Sequence, residues 1–190
     1  MKEKSVIEYY LLCNKLKNLL RTGWLQSNIQ AERIESVAEH IYSTQMLALA
    51  MYSQYHYEID IYKVILMLAI HETEEIIIGD LTYQQIDEET KKEIGHKAIK
   101  EVLANLDIKE DLINLITEFD EKDSKEAKFA YECDKLECDL QCKLYSEQQN
   151  TLDLSERWLN NDLNRIDYDE NFKKVLTYSL NNEISIIKKN

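Results

Sequence analysis

His71-Glu72-Thr73-Glu74-Glu75 closes the apolar run Val64-Ile65-Leu66-Met67-Leu68-Ala69-Ile70, and the change from aliphatic to charged side chains organises the rest of the chain. Val64, Leu68, His71, Glu75 and Ile78 recur at helical spacing, which predicts one helix from about Ile61 to a stop at Gly79-Asp80. His71 and Glu75 then share its buried face, and Glu74 points elsewhere. Polar groups buried without partners cost several kcal/mol, so such a cluster is compensated by a metal, a hydrogen-bond network or exposure.

The stretches on either side also read as helices. Val6, Tyr10, Cys13, Leu16 and Leu20 form a stripe over residues 5–20, which Arg21-Thr22-Gly23-Trp24 ends. Ser36 and Glu39 have the spacing of a capping box, and Val37, His40, Ile41, Thr44, Ala48 and Met51 follow on one side. Beyond the central run, Ile94, Ala98, Val102 and Leu106 give one stripe, and Leu112, Leu115, Ile116 and Phe119 a shorter one. Ala127, Tyr131, Asp134, Cys138, Gln141 and Tyr145 give the next, with Asp134 in its middle. Two further helices are expected, one with Leu154, Trp158, Leu159 and Leu163, the other with Phe172 to Ile187.

Proline is absent and glycine occurs 3 times in 190 residues, which disfavours the tight turns of sheet-rich folds. The expectation is an all-α, single-domain compact helical bundle over residues 1–190, with a motif-bearing core at about 16–145 and C-terminal helices at about 152–188. No apolar run approaches the ~20 residues of a membrane span, so a soluble cytoplasmic protein is the default. The formal net charge of −13 argues against binding a nucleic-acid polymer and requires local cations for any small anionic substrate. Cys13, Cys133, Cys138 and Cys142 contain no C-x-x-C pair and read as reduced core thiols. The abundant tyrosines, among them Tyr9, Tyr10, Tyr52, Tyr55 and Tyr57, are candidates for a subunit interface.

Three helices distant in sequence each carry ligand-type side chains on their apolar stripes: His40, then His71 with Glu72, then Asp134. Two imidazoles and two carboxylates suit a divalent ion, with Mn, Co, Fe, Ni, Zn and Mg all open. Each residue alone has a plainer reading. His40 fits a hydrogen-bonded core histidine, Asp134 a buried partner for Lys135, and the acids a solvated helix end, although acids near a C-terminus oppose the helix dipole. A bimetallic centre is not expected, because the only histidine between His71 and Asp134 is His96.

Glu35-Ser36-Val37-Ala38-Glu39-His40, His71-Glu72 with Glu75 and Gly79-Asp80, and Cys133-Asp134-Lys135-Leu136-Glu137 together resemble the HD-domain phosphohydrolases, most closely the branch containing the 5′-deoxynucleotidases. Arg21-Thr22-Gly23-Trp24 and Glu126-Ala127-Lys128-Phe129 are similar to further segments of that branch. The resemblance implies one divalent metal held by His40, His71, Glu72 and Asp134. Glu75 would orient or deprotonate the attacking water, and Asp80 would act near the leaving group or sugar. Arg21 and Trp24 would form the nucleotide pocket, with Arg33 adding positive charge. The implied activity is hydrolysis of nucleoside 5′-monophosphates, deoxyribonucleotides in particular, by a homodimer. The family's defining pair is His-Asp, whereas this chain has His71-Glu72, which moves the carboxylate about 1.5 Å further from the backbone. That departure leaves open a regulatory, nucleotide- or metal-binding protein without turnover. Another phosphate ester or a nucleoside triphosphate is also open as substrate.

Overall fold

The computed structural model describes residues 1–27, 29, 31–82, 84–149 and 165–185. Its helices are α1 (Lys2–Asn14), α2 (Thr22–Gln26), α3 (Val37–Tyr55), α4 (Ile61–Ile70), α5 (Glu75–Ile78), α6 (Glu88–Leu103), α7 (Lys109–Glu121), α8 (Lys125–Gln149) and α9 (Glu170–Asn181). A 3₁₀ turn at Lys15–Lys17 follows α1. Among the described residues no strand forms beyond an isolated bridge between Leu20 and Ser36, so the all-α expectation stands.

Local chemistry sets the limits of the elements that matter for function. The Ser36 side chain accepts from the Glu39 N–H while the Glu39 carboxylate accepts from the Ser36 N–H, the reciprocal cap read from the sequence. Asp60 starts α4 by accepting from the N–H groups of Tyr62 and Lys63. Gly79 follows α5 at φ 75°, a conformation that glycine adopts without a Cβ clash.

The 25-residue α8 runs through the middle, packed by α3, α4, α7 and α9. Its Ala127, Phe129, Ala130, Cys133 and Leu136 join Ala48, Met51, Val64, Met67, Leu68 and Phe172 in the main core. Tyr57, Phe129, Tyr168 and Phe172 meet in mostly edge-to-face contacts, the tightest being Tyr57–Phe129 with centroids 4.8 Å apart. Tyr57 therefore belongs to this cluster, unlike the exposed Tyr10.

The structure departs from the sequence reading in several places. The helix expected over 61–78 ends at Ile70, and residues 71–74 form a turn before α5. Thr73 N–H and Oγ1 both bond to the Ile70 carbonyl, and Glu75 N–H bonds to that of Glu72, so three-residue closures replace the α-helical ladder. The first helix stops at Asn14 and buries none of its residues, leaving Val6 and Tyr10 exposed. Arg21-Thr22-Gly23-Trp24 opens α2 instead of closing a helix. The last helix ends at Asn181, before Ile184, while Ile187 and the helix expected around Leu154–Leu163 lie outside the described residues. No helix searched is long and apolar enough to cross a membrane, and the four cysteines are thiols.

Candidate metal centre

His40 comes from the first turn of α3, His71 and Glu72 from the turn after α4, and Asp134 from α8. One ligand atom from each lies within 4.8 Å of all the others. Asp134 Oδ1 is 3.0 Å from His40 Nε2 and 3.8 Å from His71 Nε2, while Glu72 Oε1 is 3.8 and 3.6 Å from the same nitrogens. The broken helix explains the last pair. Glu72 reaches the cluster from the turn that follows the end of α4 at Ile70.

Each imidazole is fixed from behind. Glu137, three residues after Asp134, takes His40 Nδ1 at 2.6 Å, and His71 Nδ1 donates to the Leu68 carbonyl at 2.9 Å. His71 Nε2 is then the nitrogen left over; it faces Glu72 and Asp134, is buried and has no hydrogen-bond partner. A buried imidazole nitrogen aimed at two carboxylates and a second imidazole fits a divalent cation, as do carboxylate and carbonyl partners behind the histidines.

The electrostatics agree with that fit. Burial and Arg21 work against charging His40, but Asp134 and Glu137 at its two nitrogens outweigh them and push its pKa up to about 9. Burial would raise the Asp134 carboxyl, yet Lys135, His40 and His71 hold it well below the usual carboxylate range. Glu72 is likewise held low against burial, by His71, Arg21 and His40. Without a cation the cluster therefore keeps a proton on His40, which a metal must displace.

The remaining expected site residues are distributed around this core. Arg21 reaches it, with Nη1 3.2 Å from Glu72 Oε1 and Nη2 3.3 Å from Cys138 Sγ. Glu75 is buried with Oε2 unpartnered, and burial, Glu72 and Asp80 raise its pKa. Asp80 Oδ2 accepts from the Thr22 N–H at 2.6 Å and so anchors the start of α2 beside Arg21. Trp24 is 4% exposed, its indole N–H on Glu35 at 2.8 Å and its ring edge-on to Tyr145; it shapes the wall from within. Arg33 is not brought to the cluster. It pairs with Glu39 at the rim of a cleft of about 880 Å³, which none of the four clustered residues lines. Glu74 is not simply turned to solvent: its Oε2 is buried without a partner, and burial together with Glu72 raises its pKa to about 8. His96 lies apart, 3.4 Å from Asp120.

Periodicity gave no role to Glu137 or Glu35. Glu137 was detectable in principle, since i, i+3 spacing from Asp134 puts both acids on one helix face. Glu35 acts through a contact that needs the fold, holding the Trp24 indole. The plainer reading of Asp134 as a partner for Lys135 is also met, with Lys135 Nζ 2.9 Å from Asp134 Oδ2.

The HD domain family model matches residues 13–171. The 5′-deoxynucleotidase HDDC2 of Dictyostelium discoideum is 30% identical over 157 residues, covering 78% of this chain and 82% of that protein. A crystal structure of a Pyrococcus horikoshii OT3 protein superposes with a TM-score of 0.76 at 25% identity, covering 91% of this chain and 97% of that one. A predicted metal-dependent phosphohydrolase from Magnetospirillum magnetotacticum MS-1 shares the fold, with a TM-score of 0.74 at 22% identity over 97% of this chain and 93% of its own.

Proposed function

The chain belongs to the HD-domain family, and from that premise we propose that it is a metal-dependent phosphohydrolase of nucleoside 5′-monophosphates, with deoxyribonucleotides preferred. The observation that carries this reading is the convergence of His40, His71, Glu72 and Asp134 around the unpartnered His71 Nε2. The similarity to 5′-deoxynucleotidase HDDC2 supports the substrate class.

These four residues would hold a single divalent ion, which would supply Lewis-acid polarisation and an acidified water. Glu75, buried among like charges beside the cluster, is the residue placed to accept a proton from the attacking water. Arg21 leaves its pairing with Glu72 to bind the phosphate, providing local positive charge in a chain of net charge −13. Asp80 keeps Arg21 in place through Thr22 and stands on the leaving-group side. Trp24 backs the nucleoside pocket, and Arg33 draws the anion toward it. A cytoplasmic homodimer completes the proposal. The exposed Tyr42, Met46 and Leu49, at i, i+4 and i+7 on α3, supply an apolar face for a second copy.

Phosphate release from 5′- and 3′-monophosphates of ribo- and deoxyribonucleosides with Mn²⁺, Co²⁺ or Mg²⁺ tests the reading. The expected result is metal-dependent release from deoxynucleoside 5′-monophosphates that His71→Ala removes. Turnover no higher than that of His71→Ala, with metal bound, would sink the proposal. The Arg21–Glu72 ion pair favours a second reading, a nucleotide sensor whose phosphate-binding cation is tied up. Glu72→Asp separates the two: a change within about tenfold marks a tolerant enzyme, and activity emerging from nothing marks the sensor.

A further inference from the structure

Asp134 has two oxygens with different neighbours. Oδ1 faces His40 Nε2 at 3.0 Å and His71 Nε2 at 3.8 Å, while Oδ2 takes the Lys135 ammonium at 2.9 Å. Adjacent residues on a helix do not face each other, so the lysine must curl back over its own helix to make this contact. A fully exposed pair of that kind fixes little. This one differs on the acid's side, because the Asp134 side chain is 7% exposed, while the lysine, 37% exposed, is also held from the side. Its Nζ lies 5.1 Å from the Tyr131 ring centroid, and the Lys122 ammonium lies 3.8 Å from the same centroid. Tyr131 rests on Phe119, which meets His71 edge-on at 5.4 Å. The lysine thus belongs to a wall that ends on one imidazole and grips the carboxylate between both.

Building on the reading of this cluster as a metal centre, we propose that Lys135 is a positioning residue that makes Asp134 a one-oxygen metal ligand. With Oδ2 hydrogen-bonded to an ammonium, only Oδ1 is presented to the ion, and the coordination position a chelating carboxylate would fill is left for water or substrate. Glu137 and Lys135 are then complementary parts of one outer shell supplied by α8: an acid behind a histidine and a base behind an acid.

The test uses the full chain and Mn²⁺ alone. Mn²⁺ affinity is measured by competition with a chelator, and the bound carboxylate mode by infrared difference spectra of protein labelled with ¹³C-carboxylate aspartate. Lys135→Gln is expected to tighten Mn²⁺ binding about tenfold, because it removes a positive charge beside the ligand and frees a second carboxylate oxygen for the ion. It should also narrow the separation of the asymmetric and symmetric carboxylate bands, as Asp134 turns to chelate. Lys135→Arg restores both readouts, and Lys122→Gln, which shares the Tyr131 ring but not the carboxylate, changes neither. Lys135→Met keeps the aliphatic stem and replaces Lys135→Gln should the latter not fold. Unchanged affinity and band separation in folded Lys135→Gln or Lys135→Met overturns the proposal, as does an equal change in Lys122→Gln. A wild-type chain that binds no Mn²⁺ overturns the metal reading along with it.

Discussion

The two ends of the α8 core segment put the same helix to opposite uses. Near its start, Phe129 is fully buried among Tyr57, Tyr168 and Phe172, where rings satisfy one another at centroid separations of 4.8 to 5.8 Å. A little over a turn later, Asp134 is as thoroughly enclosed, but by two imidazoles, a glutamate and an ammonium. The aromatic end is complete as folded and contributes through dispersion and apolar burial. The polar end keeps an unpartnered imidazole nitrogen and a protonated His40, so its arrangement is completed by something added. Stability and chemistry are therefore separable along one element.

Exchanging damage between the two ends is the strongest way to break this contrast. His71→Ala should cut metal-dependent turnover by more than about 100-fold, beyond the loss typical of outer-shell partners, while leaving the cooperative melt of the metal-free chain in place. Phe172→Ala should do the reverse, costing ~3–5 kcal/mol in denaturant unfolding while the folded fraction keeps its Mn²⁺ affinity. Loss of metal binding in folded Phe172→Ala would show that the two ends are not independent.

Titration gives the next largest effect. The folded pKa of His40, about 9, lies above its unfolded value, so its contribution is full below ~6.5 and is lost as pH rises through 9. Glu74, with a folded pKa of about 8, favours the folded state below ~4.3 and loses that contribution as pH rises through 8. Both signs agree. The metal-free chain should lose on the order of 5 kcal/mol between pH 6.5 and 9, visible as a falling melting temperature, and the increment from saturating Mn²⁺ should grow over the same interval. The aromatic end has no part in this window, since burial pushes the Tyr168 phenol up to about 12.

The smallest effect sharpens the polar end from within. Glu137→Gln should lower Mn²⁺ affinity about 10- to 100-fold through His40 alone, measured by the same chelator competition. Retention of wild-type affinity would mean that the Asp134 contact suffices to orient the ring.

Legibility followed the reach of the interactions. The capping box, the Asp60 start of α4, the Gly79 stop and the stripe of α3 are local devices, and each appears where the residues put it. His40, His71 and Asp134 stood out because an ionisable group on an apolar stripe breaks a short-range pattern. The break after Ile70 did not, because it depends on Thr73 and His71 side chains competing for the carbonyls of Ile70 and Leu68, a choice that hydrophobic spacing does not encode. Arg33 is only half legible for a related reason: its charge is visible in the sequence, but its pairing with Glu39 is a tertiary fact. The first helix shows the converse: among the described residues Cys13 of its stripe packs on a core cluster, while Val6 and Tyr10, at the same helical spacing, stay exposed.

The capping box of α3 has a consequence for timing the helix against its neighbours. Ser36 closes the N-terminus, and the His40 N–H is bonded to the Ser36 carbonyl at 3.1 Å, so the first complete turn of α3 ends on His40 itself. A helix starting one residue earlier or later would carry the imidazole about 100° around the axis, away from α8. The cap thus acts as the phase reference of the site: a pair of hydrogen bonds at the helix end decides which compass bearing the first imidazole takes.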